Sequence, residues 1–213
     1  MRYLTLIFAA GMLAGTLGFS VYLRIEGVIP MRTASAATRA PAVEPALPLV
    51  RVADDDIHRL LQRDLTMPIA KVLPESLQDT FTKPRPGRKT HEAIDIPTPH
   101  GTPIHAFGDG IIAKLTRSAK GGLTIYEFDP DEIYCYSYAH LDRYANRLRE
   151  GMHVKRGDVI GYVGTTGDAQ ENGPHLHFAI TRLHEDKNWW EGAPVNPYPI
   201  LVAVATTATI GTN

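Results

Sequence analysis

Gly173-Pro174-His175-Leu176-His177-Phe178 is the stretch from which the rest of this chain is read. Taken as a strand, its side chains alternate, so His175 and His177 share one face while Leu176 and Phe178 share the other. The apolar face can pack on a core. The opposite face sets two imidazoles side by side, the side chain most used for metal ligation and proton transfer near neutral pH. Two histidines at this spacing arise by chance on many strands, so the pair needs support from elsewhere. It comes from His91-Glu92-Ala93-Ile94-Asp95 upstream and from Tyr138-Ala139-His140-Leu141 between the two.

A catalytic zinc site takes three nitrogen, oxygen or sulfur ligands and leaves one position open for water. The three segments supply four histidines and one aspartate, one group more than three ligands and a base require. His91 and Asp95 stand four apart, a spacing that would put them on one face of a helix. Pro97 and Pro99 follow within a turn and exclude that helix. On a flat strand the two Cα atoms would lie about 13 Å apart, at roughly 3.3 Å per residue. Metal bonds of about 2.0–2.2 Å cannot span that distance, so the segment is expected to bend near Ala93, where a small residue is required.

The three segments, in this order, resemble the motifs of the LytM/lysostaphin-type zinc endopeptidases, the M23 peptidase family. The resemblance runs from about Met67 to Tyr198, and Ala93 stands where the family usually has glycine. It implies zinc bound by His91, Asp95 and His177, with His140 and His175 left unligated as catalytic groups. In such a pair one imidazole takes a proton from water as general base and the other donates to the oxyanion. It further implies hydrolysis of peptide bonds in peptidoglycan cross-links or stem peptides, and a cell-envelope location with the domain in the periplasm.

The flanking sequence fits a mainly β protein. After Asp95, short runs such as Ile111–Leu115, Leu123–Phe128 and Ile133–His140 are separated by Gly, Asp and Pro turns, which predicts antiparallel strands. Tyr134, Tyr136, Tyr138 and His140 alternate with Ile133, Cys135, Ser137 and Ala139. That pattern predicts a two-layer β domain of LytM-like, barrel-sandwich-related type, with the small face covered by a second sheet and Tyr138 lining the cleft. Cys135 on the small face reads as a buried inert thiol. Ahead of the first motif, an edge strand over Met67–Val72, a helical turn that starts at Pro74 and takes in Leu77 to Phe81, and a basic loop over Lys83–Arg88 are expected. His100, His105, His153 and His184 read as surface or core histidines.

With 213 residues and a net charge of −1, the chain has room for one such domain and no basic patch for nucleic acid. Its one cysteine excludes both an intramolecular disulfide framework and a Cys-based structural zinc site. Tyr3 to Leu23 is uncharged and apolar, long enough at roughly 20 residues for a membrane helix. Residues 1–26 therefore read as a signal anchor in the inner membrane, 27–55 as a Pro/Ala-rich linker, and 56–213 as the peptidase domain. Ile57, Leu60, Leu61 and Leu65 fall at helical spacing and predict a short helix leading into that domain.

Two other functions compete. A LytM-like domain without catalysis, one that binds and activates cell-wall amidases, would lack ligands, whereas all five positions here hold metal- or proton-competent side chains. A carrier or carbohydrate-binding β module matches the run Val154-Lys155-Arg156-Gly157-Asp158-Val159-Ile160-Gly161 but leaves the histidines without a purpose.

Overall fold

The computed structural model describes residues 49–84, 90–171 and 173–210. The expected anchor, most of the linker and the basic residues of the loop at 85–88 lie outside them. Among the described residues no helix is long and apolar enough to cross a membrane.

Helix α1 (Leu49–Leu61) comes first, followed by a 3-10 turn at Pro74–Ser76. Then come β1 (Ile94–Pro97), β2 (Pro103–His105), β3 (Gly110–Ser118), β4 (Gly122–Phe128) and β5 (Tyr134–Tyr144). After β6 (His153–Val154) and β7 (Val159–Val163), a second 3-10 turn at Gly167–Glu171 leads to β8 (His175–Leu183), β9 (Gly192–Val195) and α2 (Tyr198–Ile210). All pairings are antiparallel. The mainly β expectation therefore stands, with three local corrections. Residues 67–72 form no strand, with bends and turns over 68–71, and the expected helical turn is present as the 3-10 turn that Pro74 starts but does not extend over 77–80. The leading helix starts at Leu49, within the stretch read as linker, and stops short of Leu65.

The nine strands form one continuous sheet in place of two stacked ones. Strand β5 makes this possible. Its first half pairs with β8 on one side and β4 on the other, and past His140 it pairs with β7. Inward side chains of all nine strands, down to Val154 of the short β6 and Val195 of β9, join a single core that includes Ile94, Ile104, Ile112, Ile125, Tyr136, Leu141, Ile160 and Phe178. A sheet whose inner face meets itself in this way must curl around that core. Alternation holds in β8, where Leu176, Phe178 and Ile180 are core residues. Since directly opposed residues share a face, His177 lies on the outer face with its partner Ala139, and Ala179 with Ser137.

Alternation fails in β5 at His140, whose φ is +62° and where the register to β4 slips; the register to β7 slips just beyond, between Leu141 and Arg143. Such a bulge puts one extra residue in the strand. Ala139 and His140 consequently both face outward, while Tyr138 and Leu141 are fully buried in the core. Tyr138 does not line the cleft. Its hydroxyl accepts from Phe107 N–H at 2.9 Å and donates to Glu127 Oε2 at 2.6 Å. The small residues Cys135, Ser137 and Ala139 carry no second sheet. On their side, Trp189 from the β8–β9 loop packs at a tilt of 52° against Tyr126, with ring centroids 4.5 Å apart. Cys135 is buried as expected, and burial pushes its thiol up, so it stays protonated.

Burial raises the Glu127 carboxyl from 4.5 to about 8, outweighing the hydrogen bond from Tyr138. Below about pH 4.5 Glu127 is neutral folded or unfolded. Between there and about pH 8 only the unfolded chain ionises, so stability falls as pH rises, by up to about 1.4 kcal/mol per pH unit. Glu127→Gln is expected to flatten this slope, as measured by denaturant midpoints at pH 5 and pH 8. An unchanged slope would show that Glu127 is ionised in the folded protein.

Helix α2 is the element with no sequence signal. Its run Tyr-Pro-Ile-Leu-Val-Ala-Val-Ala-Thr-Thr-Ala-Thr-Ile is rich in β-branched residues, yet it buries Ile200, Leu201 and Ala205. Packing overrides propensity here. Asn196 Oδ1 caps its start by accepting Tyr198 N–H at 2.9 Å, with Pro197 as the first residue of the turn.

Candidate metal centre

Strand pairing places two of the expected ligands. In the β1–β8 ladder Asp95 lies directly opposite His177, so their side chains share the outer face. His91 joins them because the chain turns sharply. Glu92 has φ +59°, a left-handed conformation that costs a non-glycine residue about 1–3 kcal/mol and is found where structure imposes it. The bend is thus present, with its left-handed residue one position before Ala93. Ala93 has no positive φ and is fully buried, which explains why alanine is accommodated there.

The three donor atoms close a small triangle. His177 Nδ1 lies 2.9 Å from Asp95 Oδ1, His91 Nε2 lies 3.1 Å from the same oxygen, and the two nitrogens are 3.0 Å apart. Donors at about 2.0–2.2 Å from one ion in tetrahedral directions would be about 3.3–3.6 Å apart, so the triangle is slightly tighter than a loaded site. Two histidines and a carboxylate are also a donor set that suits zinc.

Hydrogen bonding around His91 tests that fit. Its Nδ1 sits 3.2 Å from both the Thr80 carbonyl and the Thr80 hydroxyl. A carbonyl only accepts, and the hydroxyl gives its own proton to Ala93 O at 3.1 Å. Nδ1 therefore carries the hydrogen, and in the neutral ring Nε2 presents a lone pair. Burial pushes the Asp95 carboxyl up, but His177, whose Nδ1 lies 2.9 Å away, and the adjacent His91 ring outweigh it and hold it far below the usual carboxylate range. A lone pair and an ionised oxygen then face each other at 3.1 Å. A cation between them removes the repulsion. The residues present fit a metal ion.

His140 and His175 flank this triangle. Their ring centroids are 4.9 Å apart, His140 is 5.5 Å from the His177 ring, and His175 Nε2 is 3.8 Å from Asp95 Oδ1. Each donates Nδ1–H to a backbone carbonyl at 2.9 Å, His140 to Thr166 and His175 to Gly173. Each neutral ring consequently offers its Nε2 lone pair. Burial lowers the His140 pKa below 6.5, against the opposing bond to Thr166, and burial likewise lowers that of His177 against the pull of Asp95.

Thr166 is held by close backbone approach. Gly122 lies so near that a Cβ there would meet the Thr166 carbonyl carbon at 2.4 Å, and its φ is +61°. The Thr166 hydroxyl donates to Leu141 O at 2.7 Å and accepts Leu123 N–H at 2.9 Å. Neither Thr80 nor Thr166 is marked by any sequence pattern, since each acts on a histidine many residues away. Of the other histidines, His100 pairs with Asp142 at 3.4 Å and His105 bonds the Gly157 carbonyl at 2.8 Å. Neither takes part in the His91, Asp95 and His177 group.

Residues 89–197 match the family model described as Peptidase family M23. Among curated proteins, the chain is 36% identical over 100 residues to the peptidoglycan DD-endopeptidase ShyC of Vibrio cholerae, covering 46% of this chain and 22% of that protein. It is 32% identical over 122 residues to the L-Ala–D-Glu endopeptidase of Bacillus subtilis, covering 55% of this chain and 36% of that protein. The chain thus spans well under half the length of these relatives. Among solved structures, lysostaphin from Staphylococcus simulans is 30% identical with a TM-score of 0.46, covering 54% of this chain and 45% of that chain.

Proposed function

The chain belongs to peptidase family M23, and on that premise we propose that it is a zinc metalloendopeptidase cutting peptide bonds of bacterial peptidoglycan. The observation that carries the reading is the donor triangle of His91, Asp95 and His177, with two imidazoles beside it. A zinc ion held there would act as a Lewis acid on the scissile carbonyl and bring water within reach of deprotonation near neutral pH.

The remaining work falls to side chains. With Nδ1–H committed to carbonyls, His140 and His175 can each accept a proton only at Nε2. One of them takes the proton of the attacking water and returns it to the leaving amine. The other donates to the developing oxyanion once it is itself protonated, because the neutral ring has no hydrogen on that nitrogen. Asp95 and the backbone carbonyls hold the cluster's orientation and supply no proton.

The substrate is also the reason to place the domain in the cell envelope on the outer side of the inner membrane, with the apolar N-terminal stretch as its anchor. Of the relatives named above, ShyC is a peptidoglycan DD-endopeptidase and the Bacillus subtilis protein an L-Ala–D-Glu endopeptidase, which supports the substrate class.

The test is digestion of purified cross-linked wall fragments, with products identified by mass and the zinc content of the protein measured alongside. New peptide termini and equimolar zinc are expected. Uncut fragments from a zinc-loaded protein would reject the substrate. Absence of zinc after reconstitution would reject the metal centre.

A further inference from the structure

We propose that Thr80 is a positioning residue for the metal centre, fixing both the tautomer of His91 and the bend that brings His91 back to Asp95. The inference rests on the zinc reading of that site. Thr80 is 7% exposed and meets the ligand segment at three places. It accepts the His91 Nδ1–H at 3.2 Å, its hydroxyl donates to Ala93 O at 3.1 Å, and the same hydroxyl accepts Asp95 N–H at 3.3 Å. Its neighbour adds a fourth tie, since Phe81 O accepts Glu92 N–H at 2.8 Å. Every residue from His91 to Asp95 except Ile94 is thereby bonded to residues 80 and 81.

The physical consequence is specific. A free histidine interconverts its tautomers, and a hydrogen on Nε2 leaves that nitrogen no lone pair for ligation. Thr80 removes that freedom before any ion arrives. Its hydroxyl also stabilises a backbone that would otherwise leave the left-handed Glu92 conformation and carry His91 away from the Asp95 carboxylate. Partners that orient a ligand in this way typically contribute 10–100-fold to metal affinity.

The experiment measures zinc affinity of the full chain by competition with a chromophoric chelator. Thr80→Val keeps the shape and the carbonyl but removes the hydroxyl, and it is expected to weaken zinc binding by about tenfold or more. Thr80→Ser is expected to restore it. Nitrogen-15 NMR of the metal-free wild type is expected to show His91 with hydrogen on Nδ1. Wild-type affinity in Thr80→Val, or no recovery in Thr80→Ser, overturns the proposal. An Nε2–H tautomer in the wild type does so too, and that reading needs no variant to fold. A wild type that binds no zinc while showing Nδ1–H on His91 would sink the zinc reading and leave the tautomer assignment standing.

Discussion

Replacing His177 with alanine is expected to strip the protein of zinc and to take peptide hydrolysis to background. Three protein donors hold a catalytic ion, and His177 contributes two edges of the triangle, at 2.9 Å to Asp95 and 3.0 Å to His91. Without it the remaining nitrogen and carboxylate form a two-ligand site. The fold should persist, because His177 lies on the outer face of β8 while Leu176 and Phe178 are fully buried. Elemental analysis after dialysis, with circular dichroism as the control for folding, checks this. Full zinc content in the variant would mean that the ion, if bound, is held elsewhere.

His140→Ala and His175→Ala are expected to behave differently, keeping zinc and losing turnover by roughly 10²–10⁴-fold, the usual contribution of a positioned acid or base. Their Nε2 atoms carry lone pairs beside the triangle without being part of it. The competing arrangement makes one of them a fourth ligand, which closes the site to water. Zinc stoichiometry separates the two: a variant as depleted as His177→Ala places its residue in the coordination sphere. The pH profile gives a second check. A general base must be unprotonated, so activity falls as pH drops through its pKa. Burial, the largest influence on His140, holds that pKa below 6.5, which sets the acid limb of kcat/KM below about 6.5 if His140 is the base.

How much of this was legible in the sequence depends on the range over which each signal acts. Period-2 alternation is local, so Leu176 and Phe178 against His175 and His177 could be sorted to opposite faces from six residues alone. The bend between His91 and Asp95 followed from prolines and bond lengths, although its left-handed residue is Glu92. The bulge at His140 left no mark, because it is enforced by strands β4, β7 and β8 on a segment whose own pattern alternates without interruption. Extending that pattern by one residue put His140 with the core tyrosines and Tyr138 in the cleft. Thr80 and α2 escaped for the same kind of reason. One speaks to a histidine 11 residues away through space, and the other is helical because Ile200 and Leu201 find a core.

That bulge has a consequence for how such a protein can change over generations. An uninterrupted strand couples its two faces, since any slip of register turns every side chain over. In β5 the extra residue at His140 breaks the coupling. Core tyrosines before it and the buried Leu141 after it answer to packing, while His140 is aimed by the Thr166 carbonyl and by its place beside β8. Selection can therefore rework the interior without re-aiming the imidazole, and it can retune the outer face without loosening the interior. The strand behaves as two separately heritable parts joined at one residue.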